Sequence, residues 1–180
     1  MRHLGTTALE TDRLRLRRYR MSDAEAVFRN WATDAQAARF WTWEPHADVS
    51  ETEKLLEQWI AAYDSPEYFH WVIADKQTDE AIGYIYLDDV DAKEGSASVH
   101  YLLCRRLWNR GLATEACRRV VGFALEEAGF RIIRSRHHTE NPASGRVLQK
   151  CGLICIGEEY REYEKAQLCG KYRLYEIPCP

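Results

Sequence analysis

Apolar and polar residues alternate along 13–19, with Leu14 and Leu16 on one side and arginines on the other, the period of two that marks a strand. Residues 1–8 show no period and are expected to form a flexible tail. Ser22 with Glu25, and again Ser50 with Glu53, have the spacing of a capping box, in which hydroxyl and carboxylate each satisfy a backbone amide. Each opens a stretch of helical spacing: Val27, Phe28 and Trp31 in the first, Leu55, Leu56, Trp59, Ile60 and Tyr63 in the second. Three strand-like runs follow at 68–74, 81–87 and 96–104, separated by polar turns short enough for an antiparallel meander. A helix is predicted over 112–128, burying Leu112, Ala116, Val120 and Phe123 or Ala124 and closed by Gly129. Then 131–137 reads as a strand, 142–150 as a short helix ended by Gly152, and 153–163 and 171–177 as closing strands.

The order is strand, two helices, three strands, helix, strand, helix, two strands. A strand–helix–strand crossover from 96 to 138 favours parallel pairing at that point. The fold class is therefore α/β in the α+β sense: a mixed, mostly antiparallel central sheet of about seven strands flanked by helices. At 180 residues, 1–180 make a single domain.

Composition narrows the function. A hydrophobic fraction of 46% supports a real core, and a net charge of -3 offers no basic face for phosphate, so no nucleic acid is expected as partner. The cluster Arg13, Arg15, Arg17, Arg18, Arg20 is read as the solvated face of its strand. The cysteines Cys104, Cys117, Cys151, Cys155, Cys169 and Cys179 include no Cys-x-x-Cys pair and are read as reduced thiols. Nothing has the layout of a secretory signal, and no apolar run approaches the roughly 20 residues needed to span a bilayer, so no membrane partner and a cytoplasmic location are expected. His137 and His138 are strand neighbours pointing to opposite faces, so no metal is expected there.

The strongest chemical signal lies at 102–116. A strand runs through the basic turn Arg105-Arg106-Leu107-Trp108-Asn109-Arg110 and Gly111 into a helix beginning Leu112-Ala113-Thr114-Glu115. Amides from Arg110 to Thr114 then point outward with the positive end of a helix dipole behind them, and Gly111 lets backbone approach a phosphate. The turn lacks the lysine of a nucleotide P-loop and the three glycines of a dinucleotide fingerprint, so a diphosphate without a bound metal fits better.

This segment resembles motif A of the GNAT superfamily of N-acetyltransferases: Trp108, Arg110, Gly111 and Ala113 match its aromatic variant. Trp-x-x-Gly-x-Ala-Thr-Glu-Ala is similar to the ribosomal-protein N-terminal acetyltransferase branch of RimJ/RimL type. Asn141-Pro142-Ala143-Ser144, followed by Lys150-Cys151-Gly152-Leu153, resembles a second motif of that branch, in family order and spacing. The resemblance covers nearly the whole chain and implies a GNAT-like fold and acetyl-CoA as cosubstrate. It further implies that Asn109, Arg110, Gly111, Leu112, Ala113 and Thr114 hold the coenzyme diphosphate beside Trp108. The backbone of Tyr101, Leu102, Leu103 and Cys104 is implied to hold the pantetheine as an added strand. Asn141 is implied to bond the pantetheine arm, Ser144 to lie near the thioester sulfur, and Arg146 to neutralise phosphate. Asn141 before Pro142 is also an ordinary helix cap.

Amide formation needs an uncharged amine, donors for the oxyanion and help for the departing thiolate. Amides at 102–104 are expected to serve the oxyanion and Ser144 the sulfur. Direct attack is the route the resemblance implies, with neither Cys104 nor Cys151 a covalent nucleophile. The strand at 97–103 departs from the family: Ser98 stands where an acid is common and His100 where glycine is usual. His100 is the candidate base, with a packing role as its other reading. Trp41 and Trp43 lie in the connection that borders the acceptor groove of relatives, and read as substrate contacts or as core aromatics. Glu158, Glu159, Glu162 and Glu164 read as an exposed acidic strand and loop. The expected activity is acetyl transfer to a primary amine, a protein N-terminus or a small amine such as a polyamine or antibiotic, by a monomer or homodimer. A module that binds or senses acetyl-CoA without turnover is the competing reading.

Overall fold

Eight strands form one sheet in the order β1-β2-β3-β4-β5-β6-β8-β7 in a computed structural model that describes residues 2 and 4–178. Along the chain these are β1 (Leu9–Glu10), β2 (Leu14–Arg17), β3 (Phe69–Asp75), β4 (Ala81–Asp91), β5 (Ser96–Leu103), β6 (Ile132–His138), β7 (Ile154–Arg161) and β8 (Gly170–Pro178). The helices are α1 (21–32), α2 (Ala35–Ala38), α3 (Val49–Ala62), α4 (112–127) and α5 (Pro142–Lys150). All neighbouring strands run antiparallel except β5 and β6, which the α4 crossover makes parallel. The expected mixed sheet is present, with the two-residue β1 as an eighth strand.

Period explains the layering. Leu14, Leu16, Ile85 and Val99 point to one face, where Leu112, Ala116 and Val120 of α4 and Leu148 of α5 cover them. Val72, Tyr84 and Leu102 point to the other, against Val27 and Trp31 of α1 and Leu56 of α3. Covered on both faces, β3 is buried from Phe69 to Ala74.

Three sequence expectations are corrected. Both helix starts use a carboxylate rather than the serine boxes: Asp23 accepts from the Arg20 amide at 2.8 Å, and Asp48 from the Ser50 amide at 2.8 Å. An ionised oxygen is the stronger acceptor at the positive end of a helix, so it displaces the hydroxyl. The segment before β1 is anchored rather than trailing. The Thr6 hydroxyl donates to the Tyr68 carbonyl at 2.8 Å and accepts from the His70 amide at 2.9 Å, and Trp71 Nε1 donates to the Thr7 carbonyl at 2.6 Å. Of the tail residues, Met1 and His3 lie outside the described residues, as does Cys179.

The arginines of β2 are not a solvated face. Arg17 is 5% exposed and grips Asp23 with both ends of its fork at 2.8 Å, while Asp79 accepts from Arg15, Arg17 and Arg20. Arg13 is held by Glu115 in the first turn of α4. These carboxylates come from the β3–β4 turn and two helices, so the letters around β2 could not show them.

One feature of the sheet positions the site. β5 and β6 pair only through Ser96, Ala97 and Ser98 opposite Ile132, Ile133 and Arg134. Beyond that they part, β6 staying on β8 as far as His138 while β5 stays on β4. The result is a fork in mid-sheet.

Candidate active site

The fork exposes one edge of β5. The Cys104 amide donates to the Ile82 carbonyl of β4 at 2.8 Å, so by strand alternation Leu102 also faces β4, while Val99, Tyr101 and Leu103 face the opening. Two side chains confirm this direction from the open side: Ser135 Oγ donates to the Val99 carbonyl at 2.7 Å and Trp108 Nε1 to the Leu103 carbonyl at 2.7 Å. The main-chain groups of Tyr101 and the Leu103 amide remain for a ligand strand. This corrects the expectation that amides from Leu102 to Cys104 act alike, since two of the three turn away. The letters carry strand alternation but not which edge is open.

Below the fork, Asn109 (φ 62°) and Gly111 (φ 78°) are both left-handed, and Gly111 caps α4 with no side-chain hydrogen bond. Asparagine tolerates this conformation and glycine takes it without strain. Among the described residues no main-chain N–H from 109 to 114 is hydrogen-bonded within the protein. A Cβ added at Gly111 would have only the Arg13 guanidinium nearby, at 3.6 Å. Arg105 and Arg106 flank the turn, held by Asp34 at 2.9 Å and Glu80 at 3.1 Å. Unpaired amides, a helix dipole and guanidinium groups together favour an anion.

A groove of about 280 Å³ opens from the fork towards the α1–α3 side of the sheet. At its inner end Asn141 caps α5, accepting from the Ser144 amide at 3.3 Å, and the Tyr101 hydroxyl donates to the Ser144 carbonyl at 2.9 Å with the Ser144 hydroxyl 3.0 Å away. Burial raises the Tyr101 phenol well above its ordinary range, so it stays a donor. Asn141 thus fills its capping role and still lines the groove.

Outward, His70, Tyr86 and His100 sit in cross-strand register on β3, β4 and β5. The His100 ring stacks on Tyr86 with centroids 5.1 Å apart, and its Nε2 lies 2.9 Å from Oδ1 of Asp88. That approach is within ion-pair range but off hydrogen-bond alignment, and neither buried atom has another partner among the described residues. Asp88 was missed because nothing local marks it: it stands opposite Ser98 across β4 and β5. Asp88, Asp89 and His100 also form a group with ligand atoms within 4.8 Å of one another, a spacing compatible with a metal ion.

Other sequence candidates divide. Trp41 lines the groove and packs on Tyr84 and Tyr86 at 5.3 and 6.2 Å, whereas Trp43 turns inward and donates through Nε1 to the Tyr84 hydroxyl at 3.2 Å. On α5, Cys151 contacts the Thr114 carbonyl of α4. Arg146 instead shares with Gly145 and Gln149 a separate cavity of about 200 Å³ beside Arg173 and Tyr175 of β8. His137 and His138 do face opposite ways, His137 Nε2 meeting the Tyr175 hydroxyl and His138 stacking on Phe40. The described cysteines are free thiols, and burial raises that of Cys104, which makes it a poor nucleophile.

A parted pair of parallel strands with a helix N-terminus beneath them and a groove alongside form a ligand cleft. The family model described as Acetyltransferase (GNAT) domain matches residues 13–154, and the chain belongs to that family. An uncharacterised N-acetyltransferase, YoaA of Bacillus subtilis, is 31% identical over 145 residues, covering 81% of each chain. A GNAT-family acetyltransferase from Bacillus anthracis superposes with a TM-score of 0.84 at 17% identity, covering 96% of this chain and 98% of that one. A ribosomal-protein-S5-alanine acetyltransferase from Vibrio fischeri gives 0.82 at 16% identity, covering 96% and 97%. The microcin C7 self-immunity acetyltransferase MccE, in complex with acetyl-CoA and AMP, gives 0.78 at 15% identity, covering 93% of each chain. At these identities the structural matches share the fold, and their acceptors differ. Among the described residues no helix is long and apolar enough to cross a membrane.

Proposed function

We propose that the chain is a cytoplasmic N-acetyltransferase that takes acetyl-CoA and passes the acetyl group to a primary amine by direct attack in a ternary complex. The observation that carries this reading is the run of unpaired amides from 109 to 114 at the foot of an open strand edge. The diphosphate sits on those amides, and the pantetheine lies in the fork as an extra strand on the main-chain groups of Tyr101. Its thioester then ends between the Leu103 amide and Ser144.

The amine nitrogen attacks the thioester carbonyl, the C–O π pair moves onto oxygen and is stabilised by the Leu103 amide, and collapse breaks the C–S bond. His100 takes the proton leaving nitrogen, and the thiolate, helped by the Ser144 hydroxyl, is finally protonated to free thiol. Asp88 steadies the charged His100. An α-amino group with pKa about 8 needs less of this base than a lysine near 10.4. The second motif supports a relation to the ribosomal-protein N-terminal branch.

Calorimetry with acetyl-CoA and a radiolabel transfer assay on N-terminal peptides, polyamines and aminoglycosides test this. Wild type is expected to bind and transfer, and Gly111→Glu to lose binding because a carboxylate would occupy the anion site. Unchanged affinity in the variant refutes the placement of the diphosphate. Tight binding with no transfer to any acceptor makes the protein a sensor.

A further inference from the structure

Resting on the acetyltransferase reading, the geometry points to an acceptor that is a small amino carboxylate, with Arg136 of β6 as the residue that grips its carboxylate. Arg136 lines the groove on the same side of the sheet as Asp88 and His100, and its side chain is 26% exposed. Most arginines of this chain spend their forks on carboxylates within hydrogen-bond distance, as Arg17 does on Asp23 and Arg134 on Glu94. Arg136 does not: its one ion-pair contact among the described residues is Asp89 Oδ2 at 3.8 Å, too long for a hydrogen bond. Asp89 is itself 65% exposed on the rim, so a ligand carboxylate can replace it without uncovering a buried charge. A planar fork left open in a half-buried wall is built for bidentate carboxylate recognition.

The rest of the groove completes the fit. Asp88 and His100 form the wall that receives the amine end, and Arg136 stands across the fork on the adjoining strand, so the amine meets the proposed base while the carboxylate meets a cation. Phe40, Trp41 and Tyr172 offer aromatic faces for an apolar side chain. A volume of about 280 Å³ lies at the small end of ligand sites and suits a compact amine. The reaction is unchanged: the amine nitrogen bonds to the acetyl carbon, the C–S bond breaks, and the amine's proton ends on the coenzyme thiol by way of His100.

Matched pairs differing only in the carboxylate test this: phenylalanine against 2-phenylethylamine, and lysine against cadaverine, alongside spermidine and an N-terminal peptide. The carboxylated member is expected to lead in kcat/KM by about ten- to a hundredfold, the worth of a charge-assisted bidentate pair. In Arg136→Gln that lead collapses through KM, and Arg136→Lys restores part of it. Equal or better turnover of the bare amines, or of the peptide, by wild type overturns the inference while leaving the acetyltransferase reading standing. Calorimetry with N-acetylphenylalanine and N-acetyl-2-phenylethylamine gives a readout without turnover. Preferential binding of the carboxylated product, lost in Arg136→Gln, supports the site even if transfer fails, and equal binding of the two removes it.

Discussion

Two histidines in one cross-strand row meet different fates, and the difference is what surrounds each ring. His70 is enclosed by Tyr19, Trp59, Tyr68, Tyr84 and Tyr86 with ring centroids 4.5 to 5.8 Å away, and burial lowers it from 6.5 to about 3. A base depressed in the folded state favours folding fully above its unfolded value, and that contribution drains away as pH falls from 6.5 towards 3. By pH 4.5 the loss is about 2–3 kcal/mol. In urea denaturation at pH 7.5 and 4.5, His70→Phe is expected to start less stable, having lost the 2.8 Å contact of Nδ1 with the Tyr68 hydroxyl, but to fall less. Equal falls in variant and wild type would refute the account. His100 instead faces Asp88 in an open groove. His100→Ala is expected to cut kcat about 10²- to 10⁴-fold, the usual worth of a general base. Asp88→Asn removes the carboxylate that faces the ring and is expected to lower kcat while leaving KM for acetyl-CoA unchanged. An unchanged kcat in both variants makes the pair structural.

Glycine in α5 shows how closely an element must seat to hold the site. A Cβ on Gly145 would lie 2.3 Å from His137 Nε2, so either the imidazole gives up its 3.2 Å contact with the Tyr175 hydroxyl or α5 lifts from β6. Asn141 and Ser144 ride on the same helix. Gly145→Ala is expected to cost about 1–3 kcal/mol and to raise KM for acetyl-CoA. A methyl group at Gly122 in α4 would meet nothing within 4 Å, so Gly122→Ala should stabilise by about 0.5–1 kcal/mol and leave KM alone. Thermal melts and steady-state kinetics separate the two, and a stable Gly145→Ala with unchanged KM contradicts this packing.

The sheet as a whole is left open at its centre, and the proposed coenzyme would be the strand that closes it. Ligand at about a hundred times Kd adds about 2.7 kcal/mol to stability, which for a chain of this size is a rise of about 5–10 °C in Tm. Thermal scans with acetyl-CoA should show that rise in wild type and none in Gly111→Glu. A shift that survives the substitution places the ligand elsewhere.

Local signals were readable directly from the letters. The turn from Trp108 to Thr114 needs only a left-handed glycine and a helix start, both properties of adjacent residues, and α5 from Pro142 to Gly152 was equally clear. The parallel crossover followed from element order. What no run of letters could show is which charges meet across the fold. Arg17 found Asp23 and Asp79, Asp88 found His100, and Arg146 was carried to the β8 side of its helix. The same holds for the edge of β5: alternation is written in the chain, but its open side exists only because β6 leaves to follow β8. Backbone conformation and period act over a few residues and so survive in one dimension. Electrostatic partners and strand edges are set by approach in space, which only the folded chain brings about.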